Sequence, residues 1–240
     1  MRIVIDMQGA QTESRFRGIG SYTMGFVQAI VRNRGEHEII LCLSGLFPDT
    51  IEPIRTAFYS LLHQENIRVW NAPGPVCQDQ YGNEARREVA ELMREAFLTS
   101  LQPDVIHITS LFEGYLDDAV TSVGRFDDTT PVSITLFDLI PLVNQAKYLQ
   151  PNPCYGQYYL RKIDHLKKAS LHLAISEFSR QEGILALGAE GVHAINMSAG
   201  LDSHFQVQST SKNAVSELSS KFSISKPFVL YTGGADERKN

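Results

Sequence analysis

The 240-residue sequence has only three cysteines, Cys42, Cys77 and Cys154, spaced far apart. With no C-x-x-C pair among them, neither a disulfide framework nor a zinc ribbon is indicated. No apolar run approaches the roughly 20 residues that a membrane-spanning helix needs. The start, Met1-Arg2 followed at once by Ile3-Val4-Ile5, lacks the charged, apolar and small-residue regions of a secretory leader, so a cytoplasmic location is expected. Positive charge is scarce as well: 22 Lys and Arg stand against 27 Asp and Glu, for a formal net charge of −5. No domain-wide positive field exists to displace counterions from a polyanion, which excludes nucleic acid as the main partner. There is no internal repeat, no G-x-S-x-G elbow and no complete G-x-G-x-x-G fingerprint. The seven histidines never fall at ligand spacing, and Asp117-Asp118 and Asp127-Asp128 are adjacent pairs rather than D-x-D, so no metal site is expected. His107, inside an apolar run, reads as a packed core residue.

What the chain does have is alternation. Short apolar runs at Ile3–Ile5, Ile39–Leu43, Ile67–Trp70, Val105–Ile108, Pro131–Phe137, Leu171–Ile175 and Gly191–Ile195 read as strands. Between them lie helical patterns at Ile19–Asn33, from Pro48, and at Asn83–Ser100, Tyr155–Ala169 and Ser176–Leu187. Repeated strand–helix alternation implies an α/β domain, a Rossmann-like parallel sheet with helices on both faces. In the helix Asn83–Ser100, Val89, Leu92, Met93, Ala96 and Phe97 form the expected apolar face, and Glu84, Arg87, Glu91 and Glu95 the expected solvent face. Composition shifts at Ser209: residues 209–226 read as a linker with one short helix, after a first domain over 1–208. Pro227–Tyr231 then reads as the first strand of a second domain, 227–240, broken off at its threshold.

In such sheets ligands bind beyond the carboxyl ends of the strands, and the chemistry-bearing loops fall there. The first is R-F-R-G-I-G-S-Y, Arg15 to Tyr22, where Arg17, Gly18 and Gly20 stand at the mouth of a helix. Unpaired N–H groups and the positive end of the helix dipole suit phosphate or a sugar hydroxyl there; a tight turn with solvated arginines is the plainer alternative. No acidic residue ends the second strand, so a dinucleotide cofactor is not expected. The second loop, F-D-L-I-P, places Asp138 to accept a sugar hydroxyl or to cap the loop's own N–H groups. In the third, I-S-E-F-S-R, Ser176 is a helix cap and Ser179 a candidate polar lining. The fourth is Arg238-Lys239, a candidate diphosphate clamp or a solvated pair. The helix carrying Tyr155, Tyr158, Tyr159, Arg161, Lys162, Lys167 and Lys168 offers either contact with anionic lipid or an ordinary amphipathic surface.

Taken together, R-F-R-G-I-G, F-D-L-I-P, I-S-E-F-S-R and the closing T-G-G-A-D-E-R-K-N resemble family 4 of the retaining glycosyltransferases, which has the GT-B architecture of two Rossmann-like domains. The opening I-D-M-Q-G-A-Q-T-E-S-R-F-R-G-I-G and S-L-F-E-G-Y are similar to bacterial mannosyltransferases of O-antigen polymannose synthesis. The resemblance implies transfer from a nucleotide-sugar, GDP-mannose, to a lipid-linked glycan acceptor at the cytoplasmic face of the inner membrane, with no required metal or cofactor. It implies that Gly18 and Gly20 lie near the donor phosphates and acceptor. Asp138 matches the acidic member of the family's His-Asp loop. Ser176 and Ser179 match the serines of the strand-to-helix turn, and Arg238 and Lys239 the cations that neutralise the leaving diphosphate. Phe137 stands where many members have histidine, and the family's paired glutamates would lie beyond Asn240. The chain alone is therefore expected to be inactive. The rival readings are another GT-B enzyme, such as a sugar-nucleotide epimerase, and a non-catalytic glycan-binding module.

Overall fold

The computed structural model describes residues 1–188, 193–200, 212–224 and 226–231. Two compact units divide at Gly200, and the first holds the sheet. Its strands are β1 (Arg2–Asp6), β2 (Glu38–Ser44), β3 (Ile67–Trp70), β4 (Val105–Ile108), β5 (Val132–Leu136), β6 (Leu171–Ala174) and β7 (Ala194–Asn196). All pair in parallel, in the order β3-β2-β1-β4-β5-β6-β7. This is a doubly wound Rossmann-like sheet, with α1 (Gly18–Arg32), α2 (Pro48–Phe58), α3 (Glu84–Ser100), α4 (Ile140–Val143), α5 (Gln145–Tyr148), α6 (Pro153–Lys167) and α7 (Glu177–Leu187) around it. The strand order reverses between β1 and β4, where Asp6 stands beside Ile108 at the carboxyl ends.

Strand periodicity sorts the core into two layers. Ile5, Ile39, Leu41 and Leu43 pack with Val27 and Val31 of α1 and with Ile54 and Phe58 of α2. Val4, Ile40, Cys42, Ile106, Ile108, Ile134 and Leu136 point the other way, onto Leu98 of α3 and Tyr158, Tyr159, Ile163 and Leu166 of α6. Alternate residues of one strand face opposite sides of the sheet, so each apolar run supplies both layers.

One expectation fails over most of α3, although Glu84 is exposed and Phe97 packs against the core as expected. Arg87, Glu91, Arg94 and Glu95 of α3 are buried, while Val89, Leu92 and Met93 are exposed. The cause lies in β1. Asp6 shares the face of Val4, so its fully buried carboxylate points at α3 and requires a cation. Arg94 supplies it, donating Nε–H to Asp6 Oδ2 at 2.6 Å. Turning Arg94 inward carries Glu91 and Glu95 with it. Glu95 is satisfied by the Ser122 hydroxyl at 2.5 Å and by the Arg125 and Phe126 N–H groups, both at 2.7 Å. Pairing overrides the apolar stripe.

The second unit, described by itself, contains α8 (Lys212–Phe222), which falls inside the expected linker. Residues 227–231 carry no strand assignment, and the residues that follow them, 232–240, lie outside the described residues. Residues 191 and 192, which begin the strand expected over Gly191–Ile195, lie outside the described residues. Among the described residues no helix is long and apolar enough to cross a membrane.

Candidate functional site

At the switch point between β1 and β4, the loop after β1 meets the loop after β4. The first loop is pinned from inside by buried amides and carboxylates. The Gln8 side chain donates to Asp6 Oδ2 at 3.0 Å and to the Val120 carbonyl at 2.6 Å, and it accepts from Val120 N–H at 2.8 Å. Gln11 brackets the end of β2, accepting from Ser44 N–H at 2.7 Å and donating to the Ser44 carbonyl at 3.1 Å. Glu113, buried in the loop after β4, accepts hydroxyls from Thr12 at 3.0 Å, Ser14 at 3.1 Å and Ser110 at 2.9 Å. The two loops are thus tied together by one carboxylate. Gly114 follows at φ +101°, and an added Cβ there would lie 2.2 Å from the Ala119 carbonyl oxygen, so only glycine completes this turn.

The mouth of α1 opens beside this tie. Arg17 occupies its N-cap position in extended conformation and offers no side-chain acceptor, leaving the first-turn N–H groups uncapped. Arg15 is already used: it donates to the Gln11 carbonyl at 2.7 Å and pairs with Asp49 at 3.3 Å. Arg17 is exposed and makes no side-chain hydrogen bond or ion pair among the described residues. The two glycines differ. A Cβ on Gly20 would meet Arg15 Cα at 2.3 Å, whereas Gly18 has nothing within 4 Å. Gly20 therefore serves the turn itself, and Gly18 leaves open space at the uncapped helix end.

The second and third loops are joined to each other. Ser176 caps α7 by accepting Ser179 N–H at 3.0 Å, and Ser179, itself buried, donates its hydroxyl to the Phe137 carbonyl at 2.6 Å. Glu182 accepts Leu139 N–H at 2.6 Å. Asp138 is exposed, with Oδ1 accepting Ile140 N–H at 3.2 Å and the rest of the carboxylate available to solvent. The Phe137 ring stands edge-on to Tyr22 of α1, with centroids 5.5 Å apart, and Tyr22 stacks on Phe26 at 5.6 Å. An aromatic wall thus runs from α1 to the loop after β5. Arg238 and Lys239 lie outside the described residues.

His107 is a satisfied core residue. Its ring nitrogens meet the Ser133 and Thr135 hydroxyls at 2.9 and 3.1 Å, and burial pushes its pKa down to about 4. On α6, Tyr158, Tyr159 and Lys162 are buried, and Lys162 Nζ donates to the Thr121 carbonyl at 2.5 Å and hydroxyl at 2.6 Å. These three cannot face lipid, while Lys167 and Lys168 remain exposed. Sequence reasoning missed Asp6, Gln8, Gln11 and Glu113, whose partners lie as far as 112 residues away. The one available signal was polar residues of these types at the end of β1 and in the loops that follow β1 and β4.

No protein-family profile matches the sequence. A serotype-specific mannosyltransferase, WbdA of Escherichia coli, is 30% identical over 241 residues, covering 100% of this chain and 29% of that protein. A second Escherichia coli protein of the same name is 28% identical over 214 residues, covering 89% of this chain and 26% of its own length. The chain is a relative of these mannosyltransferases. It spans less than a third of their length. Among solved structures, an Anabaena protein, HepE, in complex with UDP and glucose aligns with a TM-score of 0.49 at 16% identity, over 93% of this chain and 50% of that one. The UDP-GlcNAc 2-epimerase of Neisseria meningitidis aligns at 0.48 and 10% identity, over 81% of this chain and 46% of that one. The fold assignment stands on the strand order rather than on these alignments.

Proposed function

We propose that the chain forms the acceptor-binding domain of a retaining GT-B glycosyltransferase, with residues 1–208 as that domain, 209–226 as a linker and 227–240 opening a donor domain. The enzyme transfers mannose from GDP-mannose to a lipid-linked O-antigen or related surface polysaccharide at the cytoplasmic face of the inner membrane. The observation that carries this reading is the similarity to serotype-specific mannosyltransferases along the whole chain.

In the reaction the bond from the anomeric carbon to the diphosphate breaks and a bond to an acceptor hydroxyl forms on the same face. The hydroxyl proton is released, and negative charge develops on the leaving diphosphate. Stabilising that charge with preorganised donors is the main task of the protein. The uncapped end of α1, with Arg17, Gly18 and Gly20, suits phosphate or acceptor oxygens at the carboxyl edge of the sheet. Asp138 is exposed to orient a hydroxyl, and the Ser176–Ser179 joint holds its loop. Arg238 and Lys239 are assigned to the diphosphate, with no metal required.

The test is incubation of the full-length protein and its glycan acceptor with a panel of radiolabelled sugar-nucleotides. Incorporation from GDP-mannose is expected. Incorporation from a uridine donor alone overturns the mannose assignment. Epimerisation of the donor without transfer, or saccharide binding without turnover, overturns the transferase reading.

A further inference from the structure

A hollow of about 540 Å³ lies between the loop 78–82, the start of α3 and the N-terminal half of α6, and none of Arg17, Gly18, Gly20, Asp138, Ser176 and Ser179 lines it. Both helices follow parallel strands, so the hollow lies toward the same carboxyl edge of the sheet as the loops after β1 and β4. Its inner wall carries an oddity. Arg87 is only 5% exposed, yet its Nε and Nη1 are buried without a hydrogen-bond partner. Arg161 faces the same hollow. Its Nη2 donates to Gln78 Oε1 at 3.1 Å and lies 3.7 Å from Glu91, while its Nε is buried and unpartnered. Burial and the neighbouring Arg161 both pull the Arg87 pKa below its ordinary value. Unmet buried donors on charged groups are expensive; these particular atoms are shut off from solvent, while both guanidinium-bearing side chains belong to the lining of the hollow.

The rest of the lining says what the hollow would take. Asp79, Glu84 and Glu88 stand around the hollow, so carboxylates outnumber the two guanidinium groups and a simple anion is disfavoured. Tyr81 is fully exposed on the same loop, presenting a bare ring face. A polyhydroxylated ring fits all three features. Its oxygens accept from guanidinium N–H groups, its hydroxyls donate to carboxylates, and its C–H face packs on an aromatic ring. We propose that this hollow is a saccharide subsite, taking a hexose unit of the acceptor glycan at a distance from the reacting end. The assignment of that hexose to the acceptor rests on the transferase reading above.

The test is a ¹H–¹⁵N NMR titration of the chain with α-linked mannotriose, maltotriose and inorganic phosphate, repeated on Arg87→Met and Tyr81→Ala. A saccharide is expected to shift the resonances of residues 78–88. Arg87→Met should weaken that binding at least about tenfold. Tyr81→Ala should weaken it several-fold with an unchanged unfolding midpoint, since Tyr81 supports nothing in the fold. The subsite is overturned if no saccharide perturbs these residues, if phosphate alone does so, or if both variants bind like the wild type. Maltotriose binding here, alongside failure of the full-length protein to use GDP-mannose, would uphold the subsite and remove only the mannose reading. Mannose transfer without saccharide shifts at 78–88 would do the reverse.

Discussion

Gly20 and Gly18 stand two positions apart in one motif and do different jobs. A Cβ on Gly20 would overlap the Arg15 backbone at 2.3 Å, and backbone cannot rotate aside as a flexible side chain can. Gly20→Ala is therefore expected to destabilise the chain by about 1–3 kcal/mol through overpacking, read as a lower midpoint in urea unfolding. Gly18→Ala, with nothing within 4 Å, is expected to change stability by no more than about 0.5 kcal/mol. In the full-length enzyme, Gly18→Ala should lower transfer all the same, because the new methyl occupies the uncapped helix mouth. Normal transfer by a stable Gly18→Ala protein would remove that mouth from the binding site. Ser176 is tested in the same terms. Its hydroxyl caps α7 at 3.0 Å from Ser179 N–H, so Ser176→Ala should cost about 1 kcal/mol of stability. A large loss of transfer with no change in the unfolding midpoint would show instead that the hydroxyl serves a ligand.

Helix α3 shows why the boundaries of elements were legible and one of its faces was not. Strands β1 to β6 and helices α1, α3, α6 and α7 follow from runs of apolar residues with period two or near four, which any solvent-shielded sheet requires. The loops F-D-L-I-P and I-S-E-F-S-R could be singled out for the same reason, because they directly follow recognisable strands. Periodicity weighs apolar side chains but not a distant carboxylate's need for a partner. Asp6 lies 88 residues from Arg94, and only the folded sheet brings them together. The same holds for Glu113, whose ties to Thr12 and Ser14 span 101 and 99 residues. The inverted helix makes opposite predictions for its two faces. Arg94→Ala leaves the Asp6 charge buried and unpaired, and a loss of about 3–5 kcal/mol is expected. Leu92→Gln and Val89→Gln, at 38% and 49% exposure, should change stability by no more than about 0.5 kcal/mol each. Chemical denaturation of the three variants decides between this orientation and the apolar-face-inward one, which requires the reverse ranking.

Across the whole first unit, buried bases on β4 and α6 couple folding to pH. Burial holds His107 and His165 at about 4, below the ordinary 6.5, and Lys162 at about 7, below 10.5. Each is a base whose charged form the fold disfavours. Between its folded and unfolded pKa the unfolded chain binds more protons, so stability rises with pH through that window. The histidines act from about pH 4 to 6.5 and the lysine from about 7 to 10.5, each with a limiting slope of about 1.4 kcal/mol per pH unit. Asp117 opposes the histidines. Burial raises its carboxyl to about 6, so the folded state binds the extra proton and gains stability as pH falls from 6 toward the ordinary carboxylate range. Two histidine contributions against one carboxylate leave a net loss on acidification. The thermal unfolding midpoint is therefore expected to fall from pH 6.5 to 4.5 and to climb from pH 7 to 9. His107→Gln, which keeps a hydrogen-bonding group between Ser133 and Thr135 but cannot take a proton, should flatten the acid limb. Lys162→Met should flatten the alkaline limb. An acid limb equally steep in His107→Gln would mean that His107 accepts its proton inside the folded sheet, and its pairing with two hydroxyls would then have to rearrange without unfolding.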